Sequence, residues 1–122
     1  MAWEVRLFDV SFEAGEDLSN AQFLAVRLDS KGKVVRARRG DRAIGILQDN
    51  PPSGSGANVR MLGISKVKAG GAFSVGTVLM PGEDGRLVAA TTGYYPVALA
   101  LEAATKADQI VTAFILPEKK AL

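Results

Sequence analysis

Neither cysteine nor histidine occurs in this 122-residue chain. Without histidine there is no Ser-His-Asp or Cys-His arrangement and no imidazole base poised near neutral pH. Without either residue there is no conventional zinc, copper or iron–sulfur site and no disulfide, so the fold must rest on packing or on oligomerisation. The 13 glycines never fall into a GxxxxGK[ST] loop, or into GxGxxG between a strand and a helix, which leaves nucleotide-phosphate cradles unsupported. No apolar run approaches the ~20 residues that span a bilayer. The start, Met1 to Arg6, lacks the basic and apolar stretches of a signal peptide, and a cytoplasmic origin fits. A paired-carboxylate hydrolase is the one enzyme class left open. Its candidates Glu13, Glu16, Asp17, Asp49, Glu83 and Asp84 sit in Gly- or Pro-flanked, turn-like contexts that normally face water. The expectation is a non-enzyme with no catalytic residue, no cofactor and no metal.

What is present points to strands. The chain is 48% hydrophobic and 23% charged, ordinary for a globular protein, and its length suits one core. Trp3, Val5 and Leu7 alternate with polar neighbours in a first extended segment at about 3–12. Strands are expected at 23–28 and 33–37 around a Gly32 hairpin, then at 43–48, 57–62 and 64–69. The Asn50 to Gly56 stretch is a surface loop by composition. Further strands follow at 78–79, 86–90, 95–102 and 109–116, the last stopped by Pro117. Only 39–42, 72–76 and 103–107 suggest helical turns. The fold class expected is all-β: a small, compact β-barrel or sandwich with an extended N-terminal arm and at most short helical turns. Residues 1–13 form an arm or first strand, and 14–122 a single β-rich domain.

Sliding the chain by 53 positions exposes an internal match. Gly32 to Gly40 falls on Gly85 to Gly93, and Ala43 to Ile46 on Pro96 to Leu99. After one deleted residue, Val59 and Met61 fall on Val111 and Ala113. The pattern is that of a barrel or sandwich built from two similar halves.

Charge is unevenly spread. Lys31, Lys33, Arg36, Arg38, Arg39 and Arg42 face one acid, Asp41, for a net +5 over residues 31–42. Residues 1–30 hold six acids against Arg6 and Arg27, a net −4. Such a basic edge either meets an acidic partner or keeps an edge strand from aggregating. Nucleic-acid binding is disfavoured, because no aromatic residue for stacking lies between Phe23 and Phe73. Arg39-Gly40-Asp41 is read as a turn rather than an integrin signal. Lys66, within Ile64 to Val67, raises a lipoyl- or biotinyl-type carrier, although a carrier lysine belongs on a hairpin tip and this one sits mid-strand. The N-terminal residues Trp3, Val5, Leu7 and Phe8 either complete the core or pair with a neighbouring chain by strand addition.

Several runs, in order and spacing, resemble the phage capsid cement (head decoration) protein family. They are Ala14 to Ser19, Val26 to Asp29, Gly32 to Val35, Gly40 to Pro51, Val59 to Val67, Gly85 to Val88 and Ala98 to Ala104. The resemblance covers residues 14–116 and departs at Trp3 to Phe12. It implies a virion protein that binds the outside of an assembled head as a homotrimer at threefold or quasi-threefold sites. There it would tie major capsid subunits together against the pressure of packaged DNA, after synthesis in the host cytoplasm, with no membrane partner. The partner-binding residues expected are Trp3, Val5, Leu7, Phe8, Arg36, Arg38 and Arg39. The alternative is a β-barrel carrier or nucleic-acid-binding module.

Overall fold

Apolar–polar alternation over short spans, punctuated by glycine turns, produces nine strands and no helix among residues 2–116, which the computed structural model describes. The strands are β1 (Val5–Glu13), β2 (Ala25–Leu28), β3 (Val34–Arg36), β4 (Gly45–Leu47) and β5 (Gly56–Lys68). After them come β6 (Val78–Pro81), β7 (Leu87–Ala89), β8 (Ala98–Ala100) and β9 (Ile110–Ile115). All pair antiparallel in the order β3-β2-β4-β5-β9-β8-β6-β7, with β1 added on β5. Pro117 lies outside the described residues. The segments 39–42, 72–76 and 103–107 are not helical; they are turns and irregular chain, with an isolated bridge between Phe73 and Ala104.

The two strands expected at 57–62 and 64–69 are one continuous strand. Gly63 bends it instead of breaking it. Its φ of 126° suits glycine alone, and a Cβ there would stand 2.5 Å from the Val5 carbonyl. Directly alongside, β1 carries bulge-like register shifts between Arg6 and Phe8 and between Phe8 and Asp9.

β5 organises the molecule because it is shared. Val59 pairs with both Val10 and Leu47, and Ile64 with both Val5 and Phe114. A strand residue has only two edges, so β1 runs along one edge of β5 while β4 and β9 share the other. The first half of the molecule is β1 to β4 with the start of β5; the second is the end of β5 with β6 to β9. Each half curls until its ends touch in one parallel bridge, Ala14 with Val34 in the first and Ala69 with Leu87 in the second.

The halves are duplicates in backbone detail. Val26 pairs with Arg36 as Leu79 does with Ala89, and Ala25 pairs with Ile46 as Val78 does with Leu99, all 53 positions apart. The turn glycines Gly32 and Gly85 have φ of 78° and 92°. Phe23, one of two described non-glycine residues with positive φ, stands where the second half has Gly76. The correspondence at the last strand differs from the sequence alignment. Val59 opposes Leu47 as Ala113 opposes Ala100, and Arg60 opposes Ile46 as Phe114 opposes Leu99. One residue is therefore inserted before β9 where the alignment deleted one. Short β strands of small apolar residues match in either register, and only the ladder tells them apart.

Two apolar clusters fill the halves. The first holds Leu18, Leu24, Val26, Val34, Leu47 and Val59. The second holds Val67, Phe73, Leu79, Leu87, Val97 and Ile115, and also takes in Ala25, Ala37, Ala43 and Ile46 from the first half. The outer side of β2 and β4 is thus buried against the second half. Two main-chain hydrogen bonds join the halves there: Ala25 N–H to Gly85 O at 2.8 Å, and Lys68 N–H to Phe23 O at 3.0 Å.

Candidate functional site

β1 is the strand that joins the basic hairpin, the central strand and the exposed apolar residues. Its C-terminal part is ordinary barrel wall, with Val10 and Phe12 opposite Val59 and Ala57. Its N-terminal part is anchored by charge. Asp9 accepts two hydrogen bonds from the Arg60 guanidinium, from Nε at 2.9 Å and Nη2 at 3.1 Å, with both side chains almost wholly buried. Arg60 Nη1 donates to the Ile64 carbonyl at 2.9 Å and lies 3.5 Å from Glu4. The fork satisfies the carboxylate bidentately. Sequence reading missed this pair. The one available signal was an acid alternating with apolar residues in the first strand.

Beyond that anchor the side chains turn outward. Trp3 is 46% exposed, Val5 46%, Leu7 63% and Phe8 53%. Leu7 and Phe8, adjacent at the bulge, are both in solvent. The main chain of β1 is engaged along β5 of its own chain, and Trp3 N–H donates to Thr112 Oγ1 at 2.9 Å. What this segment offers a partner is side chains. Val5 also starts a row of directly opposed residues across five strands: Val5, Ile64, Phe114, Leu99 and Val78. Opposed residues in an antiparallel ladder share a face, so an apolar stripe crosses the outer wall of the second half. Pro96, Leu99, Phe114 and Leu116 line a shallow groove on it.

The basic hairpin is answered in part within the chain. Lys33 pairs with Glu13 at 3.1 Å, Arg27 with Asp41 at 3.0 Å and Arg39 with Glu83 at 3.2 Å. Arg42 sits 4.5 Å over the Tyr95 ring. Glu16 accepts the Arg36 N–H at 2.7 Å. Among the described residues Lys31, Arg36 and Arg38 have no carboxylate partner for their side chains. The structure places Arg36 at the end of β3 with Arg38 and Arg39 in the chain after it, apart in the chain and the ladder from Val5, Leu7 and Phe8 on β1 and from Trp3 just ahead of it.

The remaining candidates have structural partners. Lys66 is mid-strand, 3.8 Å from Glu4 and over the Phe23 ring, not on a hairpin tip. Arg39-Gly40-Asp41 is a turn closed by Asp41 N–H to Arg38 O at 3.0 Å. Asp49 accepts from Asn58 N–H, Asp17 from Ser19 N–H, and Asp84 from Arg86. Among the described residues no three or more His, Cys, Asp or Glu side chains gather where a metal could sit, and no helix is long and apolar enough to cross a membrane.

Comparison with curated protein sequences finds no match. Among solved structures, the head fiber gp8.5 N base of bacteriophage phi29 is similar in fold, with a TM-score of 0.68 at 20% identity. The similarity covers 93% of this chain and 98% of that one. The sequence model of the phage cement proteins matches residues 8–115, from the bulge of β1 to the last residue of β9. With that match over nearly every strand of the double barrel, the chain belongs to the phage cement protein family, structural proteins of the phage capsid.

Proposed function

We propose that this cement protein binds the outer surface of the assembled head as a homotrimer at threefold or quasi-threefold positions. There it ties neighbouring major capsid subunits together and holds the shell against the pressure of packaged DNA. The single observation that carries the reading is the start of β1: Trp3 just ahead of the strand and Val5, Leu7 and Phe8 on it, four large apolar side chains between 46% and 63% exposed, where the strand's backbone is already paired. Isolated exposed apolar residues are ordinary, whereas a cluster on one rigid strand marks a docking site. Burying such groups contributes ~1.5–3 kcal/mol each before ordering costs. A shell repeats the contact many times, so modest single contacts suffice. Arg36, Arg38 and Arg39 steer the approach to acidic protein surface. The chain is made in the host cytoplasm and joins the virion at assembly.

Co-sedimentation with expanded heads of the phage that encodes the protein tests this. Wild-type protein should pellet with heads. Trp3→Ser, Leu7→Ser and Phe8→Ser combined should abolish pelleting while the circular-dichroism spectrum stays unchanged. Reversing Arg36, Arg38 and Arg39 to Glu should weaken binding most at low salt. Pelleting unaffected by the β1 changes would remove β1 from the capsid contact, and wild-type protein that never pellets would overturn the reading.

A further inference from the structure

The interface between the two halves has two sides, and each half carries a version of both. In the first half the row Asp9, Arg60, Ile46 and Ala25 occupies the positions that Ile64, Phe114, Leu99 and Val78 occupy in the second. Ile46 and Ala25 have no exposed surface, because the second half covers them. Their counterparts Leu99 and Val78 are 38% and 39% exposed. The covering side is duplicated as well. The β6–β7 turn packs on the first half, where a Cβ on Gly85 would lie 3.0 Å from the Ala25 carbonyl, 3.1 Å from Arg36 and 3.3 Å from the Leu24 Cβ. Its counterpart, the β2–β3 turn at Gly32, has nothing within 4 Å. One chain thus presents an unfilled socket at one end and an unused plug at the other.

We infer that a second copy of this chain fills the socket, its β2–β3 turn seated on Val78, Leu99 and Phe114, and that chains join head to tail through the interface that already joins the two halves. The main-chain bonds have counterparts too. Ala25 N–H to Gly85 O corresponds to Val78 N–H and Gly32 O of the next copy, and Lys68 N–H to Phe23 O corresponds to Glu13 N–H and Gly76 O. The apolar content agrees: Leu116, 58% exposed, lines the same groove as Val78, Leu99 and Phe114. A head-to-tail contact is heterologous and, where its rotation closes, makes a ring. Three copies would then alternate six half-barrels. The inference deepens the trimer proposed above and names its contact; it does not require the capsid-binding role of β1.

The chain has no cysteine, so introduced thiols report cleanly. Gly32→Cys and Thr77→Cys proteins, prepared separately and mixed, should form a 32–77 disulfide under mild oxidation, since the built Gly85 Cβ stands 3.3 Å from that of Leu24. Light scattering of wild-type protein should show an oligomer, and Leu99→Asp should return it to monomer mass with an unchanged circular-dichroism spectrum and no cross-link. If the mixture gives no 32–77 bond either free or on heads, or if Leu99→Asp leaves the oligomer intact, the head-to-tail contact is wrong. Loss of the contact with wild-type pelleting on heads intact would leave the capsid role standing. A monomer whose Leu99→Asp variant loses heads would assign the stripe to capsid protein instead.

Discussion

Equivalent rows in the two half-barrels carry opposite chemistry. The first half holds Asp9, Arg60, Ile46 and Ala25, whose side chains are almost wholly buried; the second holds Ile64, Phe114, Leu99 and Val78, partly open to water. The backbone plan is the same from the turn glycines to the ladder pairs, apart from one residue inserted before β9. The comparison teaches that a duplicated fold need not duplicate its surfaces. A row buried by its sibling can hold a charge pair, because the protein supplies every partner. A row whose cover must come from outside stays apolar, because shape and dispersion tolerate a separable partner better than an unpaired charge does.

The largest expected effect breaks the charged row. Arg60→Ala leaves the buried Asp9 only the exposed Arg6, at 3.6 Å, and should cost ~3–5 kcal/mol in urea-unfolding stability. Arg60→Met with Asp9→Leu, which copies the apolar chemistry of the second row, should recover most of that loss or exceed the wild type. A double variant as weak as Arg60→Ala would mean the first row needs its charges for specificity of pairing.

Next comes the contrast at one equivalent position. Ile46→Ala should cost ~2–5 kcal/mol, because a covered site cannot collapse freely. Leu99→Ala on the isolated, monomeric chain should stay within about 0.5 kcal/mol. Equal losses in thermal unfolding would show that the stripe is already covered in the monomer. Smaller again is Arg39→Glu, which replaces attraction to Glu83 across an exposed pair. Its cost should be ~0.2–1 kcal/mol and shrink with added salt.

The smallest effect is a pH difference between turns. Asp29 accepts N–H groups from Lys33 at 2.9 Å and Lys31 at 2.8 Å, which hold its carboxyl below the ordinary 3.8. A depressed folded-state value stabilises above the unfolded pKa and loses that contribution as pH falls through the folded one. The second half has Gly82 at the corresponding position. The Lys31 and Lys33 amide resonances should therefore shift below pH 3.8, and Asp29→Asn should abolish the shift.

Strand class, hairpin positions and the first part of the duplication were legible because they are local. Alternation, Gly32, Gly85 and the 53-residue offset need only near neighbours in sequence. The join at Gly63 was not legible, since a glycine between apolar runs signals a break unless a bulge on another strand explains it. Nor was the Asp9–Arg60 fork, whose members are 51 residues apart. Nor were the pairs of Lys33 with Glu13 and Arg39 with Glu83, which answer two of the six basic groups of the +5 segment from 20 and 44 residues away.

The sequence by itself determined that this protein would be built of short strands in two like halves, without histidine or cysteine chemistry, and resembling the cement proteins it belongs to. Only the tertiary structure decided which of two matching faces is covered, which basic groups are spent within the chain, and that one strand serves both halves. Burial and pairing are properties of distance in space, and one chain can place identical patterns in different surroundings.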